Sequence, residues 1–437
     1  MSEHCGYIVQ ITELRKHKNA DRLQVATIYG NNVIVDNKVK LGAVGVYFPT
    51  DLQLSEAFCK ANDLVRRKDG GGYLDPVKRN IRTIRLRGEI SDGLYLPISC
   101  LMEFTKISDL VIGDTIEVLN GQEICRKYIP YSSNKVSNVK KEIKPKKLKE
   151  SFFPTFYEHV DTKQLAYNLG DFHNGDIVQI TLKMHGCSGR TAYLPKIKYH
   201  RSWFDKIFHK KGAAYKEYEY VVGSRRCVLD ESYQGYYKDN SFREILSKKI
   251  EGQLYKGENI YYEIVGFQGY KGNPIMPSVN NSKVQDENFI RKYGENTNFT
   301  YGCISDHGYY DENPCCRIYV YRMTMVNEEG KIVEYSPAQI KYRCDQMGLY
   351  VVPEFETFVI PENVNPEEYV LRKAEQYYDG ADPVGKTHIR EGVVLRILNR
   401  NDFVAYKHKN IYFKQLEGIY KTIAAAPDIE EAQEEEK

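Results

Sequence analysis

The segment Lys183-Met184-His185-Gly186-Cys187-Ser188-Gly189-Arg190 is where covalent chemistry could begin. The apolar, β-branched run Val178–Leu182 leads straight into a lysine and then a glycine-containing loop. Such a turn presents an amine at a strand end, with backbone N–H groups free to approach phosphate. The amine is a nucleophile only when burial or nearby cations favour its neutral form. Alone, the segment could equally be a surface lysine ahead of a turn. Eighty residues on, Tyr261-Tyr262-Glu263-Ile264-Val265-Gly266 sets a carboxylate in an apolar strand. A charge there is costly unless it meets a ligand, a metal or a partner. Arg317-Ile318-Tyr319-Val320-Tyr321-Arg322-Met323-Thr324 is a strand whose aromatics could stack a purine. Arg390-Glu391-Gly392-Val393-Val394-Leu395-Arg396 starts a β-branched strand with a second acid. Tyr406-Lys407-His408-Lys409 puts two lysines on one face, because strand side chains alternate.

The last two pieces flank the turn Asn399-Arg400-Asn401-Asp402 and read as one hairpin. If facing residue numbers sum to 800, Glu391 shares a surface with the lysines. A sum of 801 puts them on opposite faces. Around this hairpin, residues 151–427 alternate strand patterns with helical ones at Phe242–Tyr255, Pro337–Met347 and Pro366–Tyr378. Residues 1–130 differ: short runs such as Tyr7–Ile11, Leu23–Ile28, Asn32–Val35 and Val44–Phe48 suggest a small OB-type barrel, a common nucleic-acid platform. Lys78–Arg87 reads as a basic strand, serving RNA contact or only protecting a sheet edge.

Among 437 residues, 62 Lys+Arg and 59 Asp+Glu give a net charge of +3, which excludes a purely polyelectrolyte protein. The charge is uneven. Residues 1–150 hold 25 bases and 18 acids, and residues 428–437 hold six acids and one base. The Lys-rich stretch 131–150 reads as a linker extended by self-repulsion, with phosphate contact as a secondary role. The acidic tail 428–437 reads as disordered or frayed. No apolar run is long enough for a membrane span, and no secretory signal pattern opens the chain. Ten scattered Cys without zinc spacing suggest reduced thiols inside a cell, cytoplasmic or nuclear, in a composition compatible with a virus. The 36 Tyr against one Trp could serve as core or as stacking platforms.

Taken in order, K-x-H-G, the Glu263 strand, the aromatic Y-R-x-T strand, E-G-V-V-L-R and K-x-K resemble the motif set of covalent nucleotidyltransferases, in particular ATP-dependent RNA ligases. Met347-Gly348-Leu349-Tyr350-Val351-Val352-Pro353 looks like the same group. Ala20-Asp21-Arg22-Leu23, Gly45-Val46-Tyr47-Phe48-Pro49 and Arg85–Leu94 are similar to the OB domain of the Deinococcus–Naegleria type, which precedes the transferase. The resemblance covers about residues 6–415 and implies an α+β chain: an OB-type barrel, then an ATP-grasp-like adenylation domain of antiparallel sheets with flanking helices.

It also implies ATP, Mg2+ or Mn2+, and RNA ends, with RNA/DNA hybrid ends left open. Lys183 would attack the α-phosphorus, giving lysyl-AMP and pyrophosphate. AMP would pass to an RNA 5′-phosphate, and a 3′-OH would displace it. Lys407 and Lys409 would neutralise the α-phosphate. Glu391 would hold metal-bound waters, and Glu263 the ribose or the same water shell. Ile318 or Tyr319 would cover the adenine, with Tyr319 favoured. Arg225, in Val222-Gly223-Ser224-Arg225, would contact phosphate or ribose, with Arg190 a weaker candidate. His185 departs from the aspartate common at its position and is either a water-orienting imidazole or a turn residue. His159 could line the adenine pocket; Cys187 and His408 read as structural. Rival readings are a capping guanylyltransferase, a DNA ligase and a non-catalytic RNA-binding protein.

Overall fold

The computed structural model describes residues 4–50, 52–67, 71–128, 153–160, 162–200, 212–225, 228–229, 241–268, 273–284, 286–303 and 315–417. The expected linker 131–150 and tail 428–437 lie outside them. Two compact units are present, the first within Met1–Val136, Asn280–Glu295 and Ile411–Lys437, the second within Ser137–Val279 and Asn296–Asn410.

In the first unit, short β-branched and aromatic runs pair antiparallel in the order Thr115–Ile116, Gly6–Gln10, Val44–Phe48, Leu94–Pro97. A separate meander joins Glu13–Lys16, Leu23–Ile28 and Asn31–Asp36. Ile8, Val46, Phe48, Leu52, Leu54, Phe58 and Ile124 fill one core. Burying each such side chain contributes about 1.5–3 kcal/mol. The expected basic strand over 78–87 shrinks to Ile84–Leu86, paired with Glu89–Ser91. The chain reverses at once, with Arg87 and Gly88 both at positive φ, which leaves no length for a basic face. Two short helices from far along the chain belong to this unit, Glu287–Tyr293 and Ile411–Leu416. Tyr412 donates to Asp286 at 2.7 Å, and its ring lies 5.1 Å from Phe289.

The second unit holds two sheets. One runs Lys163–Gln164, Val404–Lys409, Gly392–Ile397, Ile177–Leu182, Glu354–Val359, antiparallel except at its first pair. The other runs Ala213–Ser224, Cys187–His200, Glu258–Gly266, Cys316–Val326, Ile332–Glu334, with Tyr350–Val351 parallel to Cys316–Val326. Alternation decides which face of each is dry. Val178, Ile180, Val393, Leu395 and Ile397 of the first pack with Val370 and Ala374 of helix Pro366–Tyr377. Ile260, Tyr262, Ile264 and Val320 of the second pack with Phe242, Leu246, Ile340 and Cys344, from helices Ser241–Ile250 and Pro337–Met347. Two of these helices carry their start signals in sequence: Ser336 and Gln339 cap each other ahead of Pro337, and Asn365 caps ahead of Pro366, whereas the helix expected over Phe242–Tyr255 ends at Ile250. The opposite, polar faces meet across the Arg396–Glu334 pair, 3.8 Å apart. Among the described residues, no helix is long and apolar enough to cross a membrane.

Candidate active site

Three residues stand in a row across three adjacent strands. Leu182 pairs with Val393, so Lys183 falls opposite Gly392, and its N–H donates to the Gly392 carbonyl at 3.0 Å. On its other side Gly392 pairs with Lys409. Directly opposed residues share a face, so Lys183 and Lys409 flank a position that has no side chain. The facing numbers sum to 801, the register that by strict alternation would send Glu391 away from both lysines. It does not, because Gly392 has φ +147° and interrupts the alternation. The space is also closed: a Cβ on Gly392 would sit 2.1 Å from the His408 carbonyl oxygen and 2.8 Å from Lys409 Cα.

Glu391 therefore turns onto the lysine face. Its Oε1 lies 2.8 Å from Lys183 Nζ and 3.0 Å from Lys409 Nζ, and its Oε2 3.3 Å from His185 Nδ1. The Glu391 side chain is only 4% exposed. Burial works to raise its pKa, but Lys183, Lys409 and the His185 hydrogen bond prevail and hold the carboxyl well below its ordinary range. His185 is itself caged: its N–H donates to Tyr301 Oη at 3.0 Å, and its ring packs 4.6 Å from Phe299.

The second sheet supplies the opposite wall. Glu263 pairs with Ser188 on one side and Tyr319 on the other, which places all three on the inner face. Gly186 lets the lysine loop lie against this strand, since a Cβ there would meet the Ile264 carbonyl at 2.4 Å. The Glu263 carboxyl is pushed up to about 8, chiefly by burial; Lys183 pulls it down, Glu391 pushes it up, and Arg225 and Arg243 pull it down. Arg225 is exposed, with its charge reaching both Glu263 and the Tyr321 hydroxyl.

Tyr319 stacks on Tyr350 at 5.3 Å, on the carboxylate face. Ile318 requires a correction as a base-covering residue. It pairs with Ile264 and enters the core beside Phe242 and Leu246, on the other side of the sheet. Tyr321, read in the sequence only as one of the strand's aromatics and not as a site residue, follows Tyr319 by one strand period. A bulge opposite Tyr261 and Tyr262 places it within reach of Ser188, Oη to Oγ 3.3 Å, with its ring 4.9 Å from His159. Lys407 pairs with Val394 and shares the inner face with Lys409. Arg190 lies on the Ser188 face but is 3% exposed. It donates to the Ser224 and Phe156 carbonyls at 3.1 Å each, beneath the Phe156 ring. His159 joins an aromatic cluster with Tyr261, Tyr321 and Phe403. Beyond it, Arg322 grips the Glu334 carboxylate and contacts His159.

The donor set suits a hard divalent cation: one ionised carboxylate, and a second carboxyl whose proton a cation would displace. His185 adds a nitrogen that magnesium does not require and that manganese accepts.

Three comparisons bear on this arrangement. An OB-fold domain model matches residues 6–98. No curated protein sequence matches the chain. Among solved structures, the chain is similar to the Naegleria gruberi RNA ligase in several states. A lysine-to-methionine variant with AMP and manganese aligns at TM-score 0.55 and 17% identity, over 94% of this chain and 99% of that one. A glutamate-to-alanine variant with AMP and manganese gives 0.56 and 17%, over 95% and 100%. The ligase with pyrophosphate gives 0.55 and 16%, over 95% and 98%. The chain thus has the two-part α+β fold of that ligase, with an OB-fold domain at its N-terminus.

Proposed function

We propose that this protein is an ATP-dependent RNA ligase that joins a 3′-OH to a 5′-phosphate through a lysyl-AMP intermediate. The observation that carries the reading is Glu391 held between Lys183 and Lys409, at 2.8 and 3.0 Å, opposite Glu263, whose carboxyl burial pushes up to about 8. The fold shared with structures that bind AMP, ATP and manganese supports it.

An ammonium has no lone pair, so the Lys183–Glu391 contact must open and a proton leave before Nζ attacks. Attack forms the N–P bond to the α-phosphorus and breaks the P–O bond to pyrophosphate, which departs. Lys407 and Lys409 offset charge on the α-phosphate. Glu391 and Glu263 would hold Mg2+ or Mn2+, which supplies further positive charge there when bound. Tyr319 or Tyr321 would carry the adenine on the inner face, with His159 at the pocket's far end, and Arg225 would meet phosphate or ribose at the mouth. Arg190, committed to two carbonyls, would act by fixing the strand and not by touching ATP. An RNA 5′-phosphate oxygen would then take AMP from Lys183, and a 3′-OH would displace AMP to close the strand.

Residues 1–130 would serve as the RNA platform, 131–150 as linker and 151–427 as transferase, apart from the helices Glu287–Tyr293 and Ile411–Leu416, which belong to the first unit. None of the nine described cysteines is in a disulfide, which supports an intracellular setting. The test is labelling with α-labelled ATP or GTP and magnesium on a denaturing gel, followed by sealing of nicked RNA and nicked DNA. ATP labelling with RNA sealing is expected. GTP labelling would favour capping, and sealing confined to DNA would overturn the RNA assignment.

A further inference from the structure

The strand Cys187–His200 outruns its sheet. It pairs with Glu258–Gly266 only along Cys187–Ala192, yet its pairing with Ala213–Ser224 continues to His200 opposite Ala213. Eight residue pairs, from Tyr193–Tyr220 outward, therefore run on as a two-stranded ribbon. Ribbons of two strands are marginal unless their faces are occupied.

One face is closed by its own charges. Lys196 meets Glu219 at 2.7 Å, and Lys198 meets both Glu217 and Glu219. By alternation the other face carries Tyr193, Ile197, Tyr199, Lys216, Tyr218 and Tyr220. At the inner end of the ribbon Tyr193 and Tyr220 stack at 4.6 Å and pack against the Phe242–Leu246 core, and Tyr218 follows them outward, 5.6 Å from Tyr193. Lys256 lies over the Tyr218 ring at 5.1 Å. Tyr199 is 40% exposed, and Lys216 is exposed beside it. Glu328 is the acid whose charge reaches Tyr218. Lys216 and Lys256 outweigh it.

We propose that this tyrosine face binds a single-stranded segment of nucleic acid, which under the ligase reading is RNA flanking the break. Aromatic rings interleaved with lysines are what an unpaired strand requires: a stacking platform for bases and counter-charges for phosphates. Geometry favours single strands over duplex. A ring such as Tyr199 or Tyr218 can stack only on an accessible base face, which unpaired bases offer and a duplex hides between neighbouring pairs. On the opposite face Lys196 and Lys198 are already paired with Glu217 and Glu219, and a single tyrosine, Tyr215, is exposed there.

The RNA part rests on the proposed function, and the test keeps the two apart. Full-length wild type and the Y199A/K216A/Y218A variant are titrated with fluorescent single-stranded RNA and with blunt duplex RNA, and lysyl-AMP formation with ATP alone is measured alongside. The variant should bind single strands at least tenfold more weakly, with duplex binding and lysyl-AMP formation unchanged. K216Q alone should lower the slope of log affinity against log salt by about 0.7. Single-strand binding equal to wild type would overturn the proposal, as would equal losses for both RNAs. So would a concentration-dependent dimer of wild type that the variant abolishes, which would make the face a protein interface. A wild type that forms no lysyl-AMP but shows the single-strand loss would sink the ligase reading and leave this site standing.

Discussion

Gly392→Ala isolates the backbone device that assembles the candidate site. The added methyl would lie 2.1 Å from the His408 carbonyl oxygen and 2.8 Å from Lys409 Cα, both backbone atoms that no rotamer change can move. Relief needs the Val404–Lys409 strand to retreat by roughly 1 Å, and the residue must still hold φ +147°. Overpacking and backbone strain each amount to about 1–3 kcal/mol. Misplacement by about 1 Å from a productive geometry lowers a rate by roughly 100-fold. The variant should thus melt earlier, by about 2–6 kcal/mol of stability, and form lysyl-AMP about 100-fold more slowly in single turnover. Circular dichroism at the assay temperature identifies the folded fraction, to which the rate is normalised. A folded variant labelling within about threefold of wild type would refute the argument that Gly392 turns Glu391 onto the lysines.

Other substitutions probe other parts of the argument. Ile318→Ala should lose about 2–5 kcal/mol of stability, read by denaturant unfolding, with the ATP dependence of labelling unchanged; a raised KM would return Ile318 to the nucleotide face. Glu258→Ala should cost about 3–5 kcal/mol, because buried Arg343 donates to both its carboxylate oxygens and would be left unpaired. Asp92, bonded to Thr83 at 2.6 Å, has its pKa pushed up to about 6 by burial against the pull of Thr83 and Lys414. The folded state therefore keeps a proton the unfolded chain releases near pH 4, and stability falls as pH rises from about 4 to 6. Asp92→Asn should remove that slope and gain on wild type by up to about 3 kcal/mol above pH 6, from about two pH units at about 1.4 kcal/mol each. Parallel melting curves across that range would contradict it.

Most of the fold could be read from strand runs, because period-two patterning and turn residues are local signals. The helices Pro337–Met347 and Pro366–Tyr377 were equally legible, each announced by a cap and a proline. The site was legible as residue types in order, not as geometry. Register arithmetic offered two alternatives for Glu391, and the observed one would have separated it from the lysines had Gly392 kept an ordinary φ. Nothing local announces that conformation beyond the glycine itself. Phe299 and Tyr301 support His185 from more than 110 residues away, a contact only folding creates. Arg190 shows the converse error. A basic residue after a glycine loop suggests phosphate, but burial under Phe156 gave it carbonyl partners instead.

The central claim is that Lys183 is the nucleophile. Its most direct test is mass-spectrometric mapping of the protein after incubation with ATP and manganese in the absence of RNA. The account predicts one AMP-bearing peptide, with the modification on Lys183 Nζ and its loss in Lys183→Ala. AMP on any other residue, or undiminished labelling of the Lys183→Ala variant, would contradict it.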